Sequence, residues 1–216
     1  MSKTYDLYVI TDESLSKGHT HVDLARMALA GGADVIQLRD KKLGGKELLK
    51  CALEIRELTK NSGALFIVND RLDVALASGA DGVHLGQDDL PAGFVRKLCP
   101  PGFIIGVSAG TVDEAIHAER DGADYVGLGP IFNTASKTDA GPACGLDTLR
   151  AIKGSITIPV VAIGGIGQHN AADVLSSGAD GLAVISAVVS QDDVELAARR
   201  LKTLIIKARN RKVDEG

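Results

Sequence analysis

Tryptophan is absent from this chain, and aromatic residues are confined to four phenylalanines and three tyrosines. A core with so few rings must be aliphatic, and 25 glycines in 216 residues suit short buried strands joined by tight turns. Cysteine is scarce as well. Cys51, Cys99 and Cys144 are far apart and odd in number, which excludes a disulfide framework and a thiolate metal site and points to reduced thiols in the cytoplasm. No stretch approaches the ~18 apolar residues of a membrane span. The segment Met1 to Asp6 has no apolar core of a signal peptide, so a soluble cytoplasmic protein is expected. An excess of positive charge is also missing. The formal charge of −4 gives no general attraction to nucleic acid or anionic membrane, so any polyanion would need a local patch.

What is present is a repeat. Gly-Ala-Asp occurs at Gly32, Gly79, Gly122 and Gly178, each time running into a short apolar stretch: Val35–Leu38, Gly82–Leu85, Tyr125–Leu128 and Gly181–Ile185. Each glycine follows a helix-like segment, where a left-handed C-cap is wanted, and each apolar run is too short for a helix. Four further strands are expected at Leu7–Thr11, Leu65–Asn69, Ile104–Ser108 and Pro159–Ile163. Helical periodicity fills the intervals over Val22–Ala30, Lys46–Asn61, Arg71–Ser78, Pro91–Leu98, Val112–Asp121, Leu146–Lys153, Asn170–Ser177 and Asp192–Asn210. Thr111 with Glu114 reads as a capping box, and Pro91 suits a first turn. Eight strands alternate with eight helices and no linker interrupts them. The expectation is one α/β domain over residues 1–216, a single (β/α)8 TIM barrel of parallel strands, with an open doubly wound sheet as the alternative. The stretch from Gly129 to Gly145 is much longer than the usual two to six loop residues, and reads as a mobile lid or a surface insertion.

In such a barrel, polar residues at the C-terminal strand ends are the candidates for chemistry. Strand alternation puts Gln37 and Arg39 opposite Ile36 and Leu38, facing the barrel mouth, where an anionic ligand or an internal salt bridge would satisfy Arg39. The ends of strands three and four bring Asp70 close to Asp88 and Asp89. Gathered carboxylates need a proton or a cation. With no Cys or His pair nearby, hard oxygen ligands suit Mg²⁺, the alternative being that these residues cap helices. Ser108 ends strand five and fits either a ligand or a helix cap. Gly164-Gly165-Ile166-Gly167 at the seventh turn, with Ile185 and Ser186 ending strand eight, reads as a phosphate site aided by a helix N-terminus. His84 is assigned no role, and the remaining histidines, His19, His21, His117 and His169, are expected at the surface.

Taken together, the runs Leu7–Asp12, Gln37–Lys41, Val68–Asp70, Asp81–Asp89, Gly106–Ser108, Asp121–Phe132, Ile163–Ile166 and Val184–Ser186 resemble the thiamine phosphate synthases over nearly the whole chain. The resemblance implies a transferase. A hydroxymethylpyrimidine diphosphate loses pyrophosphate, and the ring nitrogen of a thiazole phosphate attacks the exposed methylene carbon. By match to the family motifs, Gln37, Leu38, Arg39, Asp40 and Lys41, with Asn69, Ser108 and Lys137, would hold the pyrimidine diphosphate. Thr134, Ala135, Ser136, Gly165, Ile185 and Ser186 would hold the thiazole phosphate, and Asp70 and Asp89 one Mg²⁺ per subunit. Arg39, Lys41, Ser108 and Lys137 would act in catalysis. Two departures from the family pattern are Ser136 in place of a usual threonine and Asp40 where glutamate is common. The implied partners are the two phosphorylated heterocycles, with no nucleic acid and no membrane; self-association is left open. The rivals are a thiazole tautomerase on the same barrel, which needs no acidic pair, and a non-catalytic phosphate-binding barrel. A phosphosugar isomerase or aldolase lacks a clear base or Schiff-base lysine here.

Overall fold

The computed structural model describes residues 4–136 and 141–214. Strands β1 (Leu7–Thr11), β2 (Val35–Leu38), β3 (Leu65–Asn69) and β4 (Gly82–Leu85) are joined by α1 (His21–Ala30), α2 (Gly45–Ser62) and α3 (Leu72–Ser78). The second half runs α4 (Ala92–Leu98), β5 (Ile104–Ala109), α5 (Val112–Arg120), β6 (Tyr125–Leu128), α6 (Gly145–Ser155), β7 (Val160–Ile163), α7 (Ala171–Ser176) and β8 (Gly181–Val184). It ends in α8 (Ser186–Val189) and α9 (Val194–Asp214). The eight strands pair in sequence order, all parallel, and β8 returns to β1, so the sheet is the closed barrel expected and not an open one. The four-residue α8 was not anticipated; it is too short to show helical periodicity.

Local chemistry sets the boundaries. Thr20 and Asp23 form a full capping box at α1, whereas at α5 only half of the expected one exists. There Thr111 accepts from the Glu114 N–H, but the Glu114 side chain accepts from Gly110. The glycines of all four Gly-Ala-Asp turns have positive φ, from +65° to +110°. The alanines that follow them are buried.

The aspartates do something the repeat did not reveal. Asp34 Oδ2 accepts the N–H of Leu7 at 2.9 Å, Asp81 that of Phe66 at 2.8 Å, Asp124 that of Ile105 at 2.7 Å, and Asp180 that of Val160 at 2.8 Å. Each carboxylate in front of an even strand thus holds the start of the odd strand beside it. Three also take a cation from the helix leading into that odd strand, Arg56, Arg96 and Lys153 for Asp81, Asp124 and Asp180, and Asp34 takes Lys202 from α9. Four near-identical clamps ring the N-terminal end of the barrel, away from the end where ligands bind. Helix α9 closes the ring by serving β1.

Inside the barrel, alternation leaves Tyr8 and Ile10, Tyr125 and Gly127, and Val161 and Ile163 facing inward. All three tyrosines are buried and mutually packed: Tyr5 and Tyr125 have ring centroids 4.9 Å apart, and Tyr8 lies 6.0 Å from Tyr125. Glycine makes the room. A Cβ on Gly106 would stand 2.1 Å from the Tyr125 ring, and one on Gly127 2.8 Å from His84.

Candidate active site

The C-terminal ends of the strands surround a cavity of about 1010 Å³. One side is acidic. Asp70 follows β3 and Asp89 lies in the loop after β4; their carboxyls share a hydrogen bond. Burial first, and then the charge of Asp89, push the Asp70 carboxyl up to about 6. Asp70 also has φ +60°, a left-handed conformation that costs a non-glycine residue about 1 kcal/mol. The helix-capping alternative does not hold. The N-caps of α3 and α4 are Arg71 and Pro91, neither helix has a side-chain cap, and Asp89 accepts instead from the Gly86 N–H at 2.6 Å. Asp88 lines the cavity and is exposed.

The opposite side is the proposed phosphate end. Gly164 and Gly165 have φ +99° and +64°, and side chains there would collide with Pro130 and with Phe132 and Asn133. The turn after β7 therefore packs directly on the start of the long loop. Asn170 locks this turn, accepting from the Gly167 N–H at 2.8 Å and donating to the Gly165 carbonyl at 3.0 Å. From the loop, Ser136 Oγ reaches Ser186 Oγ at 2.8 Å, and Thr134 Oγ1 accepts the Ser136 N–H. Thr134, Ala135, Ser136, Gly165, Ile185 and Ser186 all line the cavity, so residues from three loops meet there. The helices that follow, α7 and α8, have six and four residues, so local N–H groups rather than a long helix dipole would meet an anion.

Between the two ends, Lys41 and Ser108 line the cavity. Ser108 caps no helix, since Thr111 does that. Its hydroxyl meets His84 Nε2 at 2.9 Å. Gln37 lies deeper: it is 2% exposed, donates to the Tyr8 hydroxyl at 2.7 Å and borders a separate void below. Arg39 does not line the cavity and pairs with Asp12 at 3.3 Å, the internal ion pair offered as its alternative. Leu38 is buried among the aliphatic side chains, and Asn69 is half-buried at the end of β3.

Asp40 turns to its own loop. Burial would raise its carboxyl, but N–H groups of Leu43 and Lys42, and His21, hold it below the usual carboxylate range. The expectation that His21 sits at the surface is overturned. It is fully buried, bridging Thr11 Oγ1 at 2.7 Å and Asp40 Oδ2 at 3.1 Å, because its place opening α1 turns it towards the end of β1. Lys137 lies outside the described residues.

Asp12, Asn170, Tyr8, Tyr125 and His84 support the site and were missed. A signal existed for Asn170, three residues beyond Gly167 where a side chain can fold back on a turn. For the others, inward alternation was legible but the partner was not. Among the described residues no three His, Cys, Asp or Glu side chains gather into a metal cage.

Comparison with known proteins is consistent over nearly all of the chain. Residues 7–188 match the family described as thiamine monophosphate synthase. The thiamine-phosphate synthase of Methanocella arvoryzae is 65% identical over 95% of this chain and 97% of its own length. That of Moorella thermoacetica is 56% identical over 96% and 99%. The solved thiamine phosphate pyrophosphorylase of Pyrococcus furiosus superposes with a TM-score of 0.89 at 45% identity, covering 95% of this chain and 98% of that one.

Proposed function

The chain belongs to the thiamine monophosphate synthase family, whose relatives named above are transferases of thiamine biosynthesis, and from that premise we propose its substrates, metal and residue roles. The reaction is condensation of 4-amino-2-methyl-5-(diphosphooxymethyl)pyrimidine with 4-methyl-5-(2-phosphooxyethyl)thiazole. The pyrimidine methylene–oxygen bond breaks, pyrophosphate leaves with the electron pair, and the thiazole nitrogen forms the new bond to that methylene carbon. The observation that carries this reading is the two-ended cavity, with an acidic pair facing a glycine turn and paired hydroxyls. Two phosphorylated substrates need two different anion sites, and a cavity with two such ends supports that reading.

The donor set fits a divalent cation. Asp70 and Asp89 are hard oxygen ligands whose mutual repulsion a cation would relieve, and Mg²⁺ characteristically takes one or two carboxylates and completes its shell with water and substrate phosphate. When bound, Mg²⁺ would supply positive charge for the departing pyrophosphate. The protein's own contribution is positional. Lys41 at the cavity wall and Lys137 would hold the diphosphate oxygens, and Arg39, whose charge already acts on Asp70, would add positive charge beside them; Ser108 and Gln37 would orient the ring, and Asn69 would stand beside the acidic pair. Ser136, Ser186 and the backbone of Thr134, Ala135, Gly165 and Ile185 would hold the thiazole phosphate. An unprotonated ring nitrogen needs no general base. A tautomerase would leave the acidic pair without use. We place the reaction in the cytoplasm on the strength of three unpaired cysteines; no helix among the described residues is long and apolar enough to cross a membrane.

The test is to incubate the protein with both substrates and assay pyrophosphate and thiamine phosphate, with and without chelator. Both products should appear, and only with Mg²⁺. Absence of pyrophosphate under every condition would sink the reading.

A further inference from the structure

Five side chains form one unbroken hydrogen-bond chain through the barrel interior. Gln37 Nε2 lies 2.7 Å from the Tyr8 hydroxyl, which lies 2.8 Å from the Tyr125 hydroxyl. Tyr125 is 3.0 Å from His84 Nδ1, and His84 Nε2 is 2.9 Å from Ser108 Oγ. The chain is built at a cost. Gly106 and Gly127 interrupt β5 and β6, where glycine is unfavourable, and their missing Cβ atoms are what admit the Tyr125 and His84 rings.

Both ends of the chain border the same small void of about 30 Å³, whose wall residues Ser108, Gly127, Ile163 and Ala183 it shares with the main cavity. At one end Gln37 Oε1 is buried and has no hydrogen-bond partner, which is expensive for a polar atom unless a ligand or water supplies a donor. That orphaned acceptor marks the void as a place for the edge of a polar ring.

Proton counting links the two ends. Burial pushes both phenols well above their ordinary value, so each hydroxyl keeps its single proton. A neutral imidazole has one donor and one acceptor. With the Gln37 amide N–H donating to Tyr8, Tyr8 must donate to Tyr125 and Tyr125 to His84 Nδ1. His84 then carries its proton on Nε2, donates to Ser108, and leaves the Ser108 proton for the cavity. The void is offered an acceptor from Gln37 and a donor from Ser108. Turning the amide over would reverse every link and exchange the two roles. Neither end can turn alone.

An aminopyrimidine edge carries an amino donor beside a ring-nitrogen acceptor, the complement of the orientation found here. The oxo counterpart carries the opposite pair and requires all the links to invert. Resting on the substrate reading above, we propose that Tyr8, Tyr125 and His84 are positioning residues that tie the polarity of Gln37 to that of Ser108, so that the cavity floor prefers an aminopyrimidine to its oxo counterpart.

The experiment uses Tyr125→Phe and Tyr8→Phe, each of which cuts the chain and keeps the ring. Wild type and variants are assayed with the aminopyrimidine diphosphate and its 4-oxo analogue, and the ratio of kcat/KM is compared. Cutting the chain should lower that ratio about tenfold or more, because each end can then reorient alone. A packing role would lower both rates together and leave the ratio intact. In parallel, ¹⁵N spectra of His84 should show the Nε2–H tautomer in wild type, and in Tyr125→Phe the ring should no longer be held to a single tautomer. Should Tyr125→Phe fail to fold, Tyr8→Phe and the wild-type tautomer carry the test. A wild-type ratio in the folded variants, or an Nδ1–H tautomer in wild type, overturns the proposal. Wild-type protein inert towards both pyrimidines overturns the synthase reading instead, and the tautomer, read without substrate, still judges the chain.

Discussion

Lys202 Nζ stands 2.7 Å from Asp34 Oδ2, so the last helix grips the first Gly-Ala-Asp turn across nearly the whole length of the chain. Asp34 also accepts the Leu7 N–H, and so joins β1, the turn before β2 and α9 at one point. Asp34→Ala removes both interactions and leaves a strand N–H without its acceptor. Denaturant unfolding should show a loss of about 2 kcal/mol. Because the clamp lies at the barrel end opposite the cavity, kcat/KM should stay at the wild-type value under conditions where the variant is folded. A matching loss of activity in folded protein would refute this separation of the two ends.

Asp70 and Asp89 make the metal-free protein sensitive to pH with a defined sign. Burial and the Asp89 charge push the Asp70 carboxyl up from 3.8 to about 6 in the folded protein, so the native state binds its proton more tightly than the unfolded chain. The corresponding stability is full below about pH 4 and is lost as pH rises through 6. Asp70→Asn removes this loss, and asparagine tolerates the φ of +60° as well as aspartate does. In chelator at pH 7 the variant should therefore melt above wild type. Mg²⁺ should raise the Tm of wild type alone, and the variant should release little pyrophosphate. A lower Tm for the metal-free variant would show that Asp70 is stabilising as a charge and not as a strained metal ligand.

Gly165 is a direct probe of the phosphate end. Its φ is +64°, and a Cβ would lie 2.7 Å from that of Phe132 and 2.8 Å from the Asn133 carbonyl. Gly165→Ala should displace the start of the long loop, separate Ser136 from Ser186, and raise the KM for the thiazole phosphate about tenfold or more, with the pyrimidine KM little changed. Equal effects on both substrates would place Gly165 outside a dedicated phosphate site.

Much of this is legible in the sequence. The Gly-Ala-Asp period located every second strand, because a positive-φ glycine and a buried apolar run are local demands that leave a local signature. The grouping of Ser136, Gly165 and Ser186 followed from the motifs, and that of Asp70 with Asp89 from adjacent strand ends. Less readable was what each polar residue would touch. For Arg39 an anionic ligand and an internal salt bridge were equally open, and only the fold supplies Asp12 as its partner. His21 carried no sign of burial, since its two partners come from the ends of different strands.

The sequence by itself determined the alternation of strand and helix, the two-residue alternation of sides along strand two, and which polar residues follow the strand ends. These depend on backbone period and turn conformation, which neighbouring residues dictate. Only the tertiary structure decided that Asp34, Asp81, Asp124 and Asp180 are clamps, and that Gln37 speaks to Ser108 through Tyr8, Tyr125 and His84. Such partners come from separate strands and helices, and which ones come into reach depends on how the barrel closes, with the tilt and stagger of its strands setting the height of each side chain inside it.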